Sequence, residues 1–265
     1  MGRINAEIIT SGHELLIGKT VNTNATWLAG QLTSMGINVT RITSISDTVG
    51  EISVAISECL KRRPDFLIIT GGLGPTYDDL TLEGLASAMK LPRTLNDDAL
   101  EQITKKYQKM SLEITPARKK MALLPQGSQP ILNAIGTAPG VLMDFKGTII
   151  TCLPGVPKEM TAMFGSYVSK IIGSCGHPSF LERSFIIDGI AESSLAPEID
   201  EWRRLNPGIY VKSHPRGTEA TPTLEIHLSV MTDEPAVLEN KLLAAEDSFT
   251  KLVIKLGGRA MRDQS

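Results

Sequence analysis

Between residue 6 and about residue 172 the chain alternates short apolar runs with segments whose apolar positions recur every three or four residues. The first kind suits strands and the second amphipathic helices, and their regular alternation predicts a mostly parallel sheet covered by helices. Residues 6–10 are expected as the first strand. The helix after it carries Leu28, Leu32 and Met35 and stops at Gly36. Residues 37–42 read as a strand, and Ile52, Ile56, Cys59 and Leu60 line a helix that Pro64 ends. Residues 66–69 are uniformly apolar, as a central strand buried on both faces should be. A helix with Leu82, Leu85, Ala86 and Met89 follows. A polar helical excursion from about 96 to 121 then lacks a strand of its own and reads as an insertion or lid.

Residues 140–144 and 148–153, joined by Phe145-Lys146-Gly147, predict an antiparallel hairpin. The helix beyond Pro154-Gly155 presents Met160, Met163, Phe164, Tyr167, Val168 and Ile171 as its core face. Turn formers fill residues 173–179, so the expected division is a domain over 1–173 and a smaller one over 178–258. The second part reads as strand (182–188), helix (193–205), strand (209–213), an alternating strand with Leu224, Ile226, Leu228 and Val230, and a long helix (235–256). That order suits a small α+β layer, giving an α/β fold class overall.

Composition narrows the functional classes. With 42% hydrophobic and 21% charged residues over 265 positions, the chain is expected to fold rather than remain disordered. A net charge of -2 supplies no global attraction to nucleic acid or an anionic membrane. Cys59, Cys152 and Cys175 are too scattered for a disulfide scaffold or a zinc site, and no segment approaches the roughly 20 apolar residues of a membrane span. The expected location is the cytoplasm.

Chemistry concentrates where strands end. Thr70-Gly71-Gly72-Leu73-Gly74-Pro75-Thr76 follows the buried strand and precedes a helix, an arrangement that lets backbone amides approach a phosphate. It has neither the Lys-Ser/Thr ending of a Walker loop nor the spacing of a dinucleotide fingerprint, and a plain tight turn is the competing explanation. Asp78, Asp79 and Thr81 then fall at the expected helix start. One carboxylate there is explained by capping, but two adjacent ones repel and are more easily tolerated beside a cation. Asp79 is the favoured functional residue. Residues 11–14, Asp47 and residues 153–158 lie at other strand ends, the edge where open α/β sheets bind ligands. Glu14 reads equally as metal ligand, general base or exposed loop acid. One of Asn22 and Asn24 is expected to cap the first helix. Lys158 fits a phosphate contact or a solvated lysine, and His13 reads as a loop residue.

Together, residues 12–16 (Gly-His-Glu-Leu-Leu), 18–24, 70–81, 136–140 (Gly-Thr-Ala-Pro-Gly) and 153–160 resemble the N-terminal module of the competence/damage-inducible CinA family. The likeness extends through 189–193 and 224–228. It implies a molybdopterin-binding-like fold, as in the MogA, MoaB and MoeA proteins, followed by a small KH-like domain. It also implies a metal-dependent pyrophosphatase acting on ADP-ribose or a related nucleotide diphosphate, with cobalt, magnesium or manganese and with potassium assisting. By the resemblance, Asp47 and Asp79 match acidic positions of the site, and Thr76, Thr81 and Asn24 its polar lining. The working assignment makes Asp79, Asp47 and Glu14 catalytic. Asp79, Asp47 and Asp78 are the metal ligands, and Gly71, Gly72, Gly74, Thr76, Thr81, Asn24, Gly155 and Lys158 hold substrate. Nothing here matches the nicotinamide-nucleotide deamidase domain of longer family members, so that activity is not expected. A homodimer is expected. The alternative to hydrolysis is a molybdopterin-binding protein of molybdenum cofactor biosynthesis, because the loop and carboxylates suit that ligand too. Nucleic-acid binding is disfavoured, since no GXXG loop or aromatic-basic stripe follows residue 176.

Overall fold

The computed structural model describes residues 4–174, 179–218, 221–232 and 234–262. By internal contacts the chain divides into two units, residues 1–33 with 37–176, and residues 34–36 with 177–265. The linker expected over 173–179 falls largely outside the described residues.

The first unit runs β1 (Asn5–Ser11), α1 (His13–Leu16), α2 (Thr23–Ser34), β2 (Asn38–Ile45), α3 (Val49–Arg62), β3 (Phe66–Thr70), α4 (Thr81–Met89) and β4 (Arg93–Leu95). It continues through α5 (Asp97–Lys109), α6 (Pro116–Lys120), β5 (Leu123–Pro125), β6 (Gln129–Ile131), β7 (Gly140–Phe145), β8 (Thr148–Leu153), α7 (Pro157–Met163) and, after a π turn at Phe164–Val168, α8 (Ser169–Gly173). Six strands form one sheet in the order β2-β1-β3-β8-β7-β6. β2, β1, β3 and β8 are parallel, while β7 pairs antiparallel with β8 and with β6. Every residue of β3 is buried, as its uniformly apolar sequence requires. The β7–β8 connection uses Lys146 at φ 55° and Gly147 at φ 89°. Two consecutive residues of positive φ make the primed turn whose twist matches that of the strands.

Ile9, Leu67 and Ile69 of the sheet share one buried cluster with Ile52 and Ile56 of α3 and Leu82, Leu85 and Met89 of α4. Ile8 and Ile68, adjacent along the same strands, are equally buried and by alternation face the other side. The excursion at 96–121 is not a lid. Ala99, Ile103, Tyr107 and Met121 belong to this same core cluster, and α5 is amphipathic enough to bury that stripe while its charged face stays in water. Flanking it, β4 and β5 pair with each other as a separate two-stranded sheet.

The last helical segment corrects the expected core face as well. Met160, Met163, Phe164 and Val168 are buried as predicted, but the next buried position is Ile172 rather than Ile171. The π turn at Phe164–Val168 widens one helical turn, so the apolar stripe advances by an extra residue. Trp27 of α2 packs edge-on against Phe164 with ring centroids 5.3 Å apart.

The second unit contains β9 (Ser179–Asp188), α9 (Glu192–Leu205), β10 (Ile209–Pro215), β11 (Thr223–Thr232), α10 (Pro235–Lys255) and β12 (Arg259–Arg262). Its antiparallel sheet has the order β10-β11-β9-β12. The alternating residues Leu224, Ile226, Leu228 and Val230 all face a core built around Trp202 and Phe249. The expected β-α-β-β-α order is present with one further strand, β12, whose four residues carry too little pattern to be read alone. No helix among the described residues is long and apolar enough to cross a membrane.

Candidate functional site

The chain passes from β1 to β2 on one side and then crosses back to β3 on the other side of β1. That reversal opens a crevice beyond the C-terminal ends of β1 and β3, where open α/β sheets bind ligands. A cleft of about 110 Å³ lies there, lined by Thr10, Ser11, Glu14, Leu15, Thr20 to Asn24, Thr70, Gly71, Gly155 and Pro157. Typical small-molecule sites enclose roughly 300 Å³ or more. The cleft thus has room for about one ring system or sugar. Larger hollows of about 520 and 580 Å³ occur in the second unit, and one of about 550 Å³ in the first is lined by Leu60, Lys61, Met89 and Phe145 rather than by this loop.

The glycine loop is shaped by contacts that a side chain would block. Gly71 has φ 105°, and a Cβ there would lie 2.1 Å from the Ser11 carbonyl oxygen. Gly72 has φ 62°, and a Cβ would lie 2.5 Å from Thr81 Oγ1. Gly74 faces Asp79 at the same separation, 2.5 Å to Oδ2. Gly71 does not offer its amide to an anion, because Gly71 N donates to the Leu153 carbonyl at 3.1 Å. It ties β3 to β8. Thr81 does not line a site either. It is fully buried, its hydroxyl donates to the Gly71 carbonyl at 2.8 Å, and its amide to Gly72 O at 3.2 Å. Thr81 therefore fixes the loop from behind.

Asp78 and Asp79 precede α4 without capping it; Leu80 is the cap residue and makes no side-chain cap bond. Asp79 Oδ2 accepts from Thr76 N at 2.8 Å and from Thr76 Oγ1 at 2.6 Å. The same hydroxyl lies against Asp78 Oδ1, and Lys120 Nζ donates to the Thr76 carbonyl. The hydrogen bond from Thr76 holds the Asp78 carboxyl below its ordinary value, with its own backbone amide and the Lys120 charge adding to the effect. Thr76 thus supplies hydrogen-bond donors to both carboxylates, and the Lys120 charge lies near Asp78.

Asp47 stands elsewhere. Its Oδ1 accepts from Ser11 Oγ at 2.7 Å and its Oδ2 from His13 N at 2.8 Å, so it holds the β1–α1 junction. Among the described residues no three His, Cys, Asp or Glu side chains are grouped as a metal site. Asp47, Asp78 and Asp79 do not make a common ligand set, so they do not fit a divalent ion held by all three. Of the expected site residues, the cleft brings together Glu14, Asn24, Gly71 and Gly155. Thr76, Asp78 and Asp79 form a separate cluster, and Lys158 is exposed in the first turn of α7.

The two asparagines divide their work. Asn22 Oδ1 accepts from Ala25 N at 3.1 Å as a helix cap, and its Nδ2 reaches Thr10 Oγ1 and Ser44 Oγ. Asn24 Nδ2 donates to the Gly155 carbonyl at 2.8 Å and to Thr70 Oγ1 at 3.2 Å. Its Oδ1 is buried and has no partner. Lys120 and the buried Asn133 escaped sequence reading. Asn133 donates to Ala138 O and Glu159 Oε2 and accepts from Gly136 N, bracing the 136–140 loop against α7. The Gly-Thr-Ala-Pro-Gly loop was the available signal, but Asn133 lies just before it.

Residues 7–173 match the family described as "probable molybdopterin binding domain". The chain belongs to that family. It is also 42% identical over 254 residues to a protein of Sulfurisphaera tokodaii, covering 96% of each chain. To a protein of Metallosphaera sedula it is 41% identical, covering 98% of each. Among solved structures, the protein CinA with unknown function from Thermoplasma acidophilum is similar, with 42% identity and a TM-score of 0.60. That likeness covers 63% of this chain and 98% of the other. The family and this neighbour together place the first unit as a CinA-like module of molybdopterin-binding type.

Proposed function

We propose that the first unit of this chain binds a phosphorylated pterin of the molybdopterin class. The pterin ring enters the cleft beyond β1 and β3, and its phosphate lies along the 72–76 loop. The observation that carries this reading is the position of the cleft: it sits at the switch point of the sheet, walled by the glycine loop, inside the segment that matches the family. Apart from Glu14, the polar side chains of its lining are neutral hydroxyls and amides among apolar surface, suited to a heterocycle. Gly72 and Gly74 bring the backbone close to an anion, and Asp79 and Thr81 hold that loop in place. Lys120, which donates to the Thr76 carbonyl, contributes positive charge beside that loop.

The hydrolysis of ADP-ribose implied by the CinA resemblance has less support, because Asp47 is engaged by Ser11 and His13 and does not join Asp78 and Asp79 in one ligand set. A magnesium-type ion carried in by phosphates needs only one or two carboxylates, so Asp78 and Asp79 are where that reading would have to act. One experiment separates the two. Titrating the protein with a 6-substituted pterin phosphate, followed by pterin fluorescence, should give saturable binding that weakens in Asp79→Ala. Incubation with ADP-ribose and cobalt, magnesium or manganese should release no AMP. Absence of pterin binding together with metal-dependent AMP release would replace this reading by the hydrolase. The expected homodimer is a further proposal; light scattering should give twice the 28.7 kDa chain mass.

A further inference from the structure

The hollow of about 550 Å³ in the first unit draws its lining from the C-terminal ends of α3 and α4 and from the β7–β8 turn. These segments lead into β3 and β8, so the hollow lies at the end of the sheet opposite the cleft. Leu60, Met89 and Phe145 give it an apolar, largely covered floor, while Lys61, Arg63, Lys90 and Lys146 stand exposed around it. No carboxylate belongs to this lining. Among the described residues none of the four cations forms an ion pair.

Three of them occupy places where glycine is the ordinary choice. Arg63 at φ 52° and Lys90 at φ 57° are the left-handed caps of α3 and α4, and Lys146 at φ 55° opens the β7–β8 turn. At comparable places the chain does use glycine, with Gly36 at φ 77° just beyond α2 and Gly257 at φ 82° just beyond α10. A side chain in this conformation crowds its own backbone. Among the described residues only Ser111 shares it outside this group. The helix dipole favours a cation at Arg63 and at Lys90. It gives no reason for Lys146, which ends no helix, nor for the meeting of all three at one hollow.

We propose that this hollow is a second binding site, for an organic phosphate ester whose apolar body rests on Leu60, Met89 and Phe145 and whose dianionic phosphate lies among the four cations. It is independent of the pterin reading. Like charges that folding brings together repel, and a dianion between them removes that repulsion. An inorganic anion would leave the apolar floor in water, and a neutral ring would leave the cations unpaired. The volume is that of a small-molecule site.

The probe is 1-naphthyl phosphate at low salt and about pH 8, where its phosphate carries two charges. By naphthyl fluorescence it should bind roughly tenfold or more tightly than inorganic phosphate or 1-naphthol binds in competition with it. In protein labelled with nitrogen-15, the backbone amides of residues 61–63, 90 and 145–147 should move during the titration, and those of 72–76 should stay. Arg63→Gly, Lys90→Gly and Lys146→Gly should each weaken binding roughly two- to fivefold, the worth of one exposed charge contact. Their midpoints of denaturation should hold level or rise, because glycine accepts the left-handed backbone. Lys105→Met, whose lysine pairs with Glu101, should bind as the wild type does. Absence of saturable binding, shifts confined to 72–76, or inorganic phosphate binding as tightly as the ester would overturn the site. So would falling midpoints in the glycine variants with unchanged affinity, since the cations would then serve the fold alone. Each of these results leaves the pterin titration to be judged by itself.

Discussion

The two ends of the parallel sheet treat polar groups in opposite ways. At the end where the strands begin, Glu7 of β1 is 3% exposed and takes two bonds of 2.7 Å from Arg62 of α3. Nearby, Asn5 bonds Asp65 and Asn38, and Thr148 donates to the Pro64 carbonyl. The pairs there are closed within the chain. At the end where the strands finish, Asp47 and Thr81 brace loops, Gly71 and Gly72 exclude side chains, and Asn24 keeps an unpaired oxygen. One end of the sheet thus closes these polar groups in ion pairs and hydrogen bonds, while the other uses them to shape loops and keeps the Asn24 oxygen unpaired. Variants should separate these two currents.

The largest effect is expected from Glu7→Ala. It leaves Arg62 without its partner, and breaking such a pair costs about 3 kcal/mol where one side remains partly solvated; Arg62 is 35% exposed. Chemical denaturation should show that loss while pterin affinity stays within error. A matching loss of affinity would mean that the two ends are coupled. Burial pushes the Glu7 carboxyl upward, but hydrogen bonds from Arg62 and Cys59 and the Arg62 charge more than reverse it, leaving it below 4.5. The folded chain therefore takes up this proton less readily than the unfolded chain. The stability it contributes is complete above about pH 4.5 and is lost as pH falls through the lowered value. In Glu7→Gln that part of the acid sensitivity should disappear.

At the other end Asp79→Ala removes the acceptor for Thr76 N and Thr76 Oγ1. The loss in stability should be near 1 kcal/mol, the scale of an exposed loop hydrogen bond, while pterin phosphate affinity drops at least tenfold by fluorescence titration. The ordering of the two variants by stability should thus be the reverse of their ordering by affinity. If Asp79→Ala binds as well as the wild type, the 72–76 loop is only a turn.

How far this division was legible in the sequence follows from the range of the interactions. The uniform apolarity of residues 66–69 and the three closely spaced glycines are local, and they located β3 and the loop. The alternation in β11 and the helical stripe of α3 were equally plain. What failed depended on partners distant in the chain. Thr81 carries the signature of a ligand contact, and only the position of the Gly71 carbonyl shows that its hydroxyl is spent. Asp47 and Asp79 look like a shared metal site until 34 to 36 residues of separation bring Asp47 to Ser11 and His13 instead. The excursion at 96–121 was polar enough to pass for a lid, because its buried stripe of Ala99, Ile103 and Tyr107 is thin. The shift from Ile171 to Ile172 needed a π turn, which no periodicity assumed in advance would contain.

The smallest effect, and the one that most sharpens the contrast, concerns Lys120. It reaches the Thr76 carbonyl across 44 residues of chain and lies close enough to Asp78 to help hold that carboxyl in its charged form. Lys120→Met keeps the apolar stem and removes the charge, so the core contacts of the excursion are preserved. Exposed charge interactions are worth under about 1 kcal/mol, and the midpoint of denaturation should scarcely move. Association of a phosphate-bearing ligand should slow a few-fold at low salt, with the difference fading as ionic strength rises and the field is screened. Lys105→Met provides the control, since its ion pair with Glu101 stands in solvent with both side chains more than 60% exposed. Equal behaviour of the two variants would reduce Lys120 to ordinary surface charge. A salt-dependent difference confined to Lys120→Met would show that the excursion, packed as core on one side, serves the ligand end of the sheet on the other.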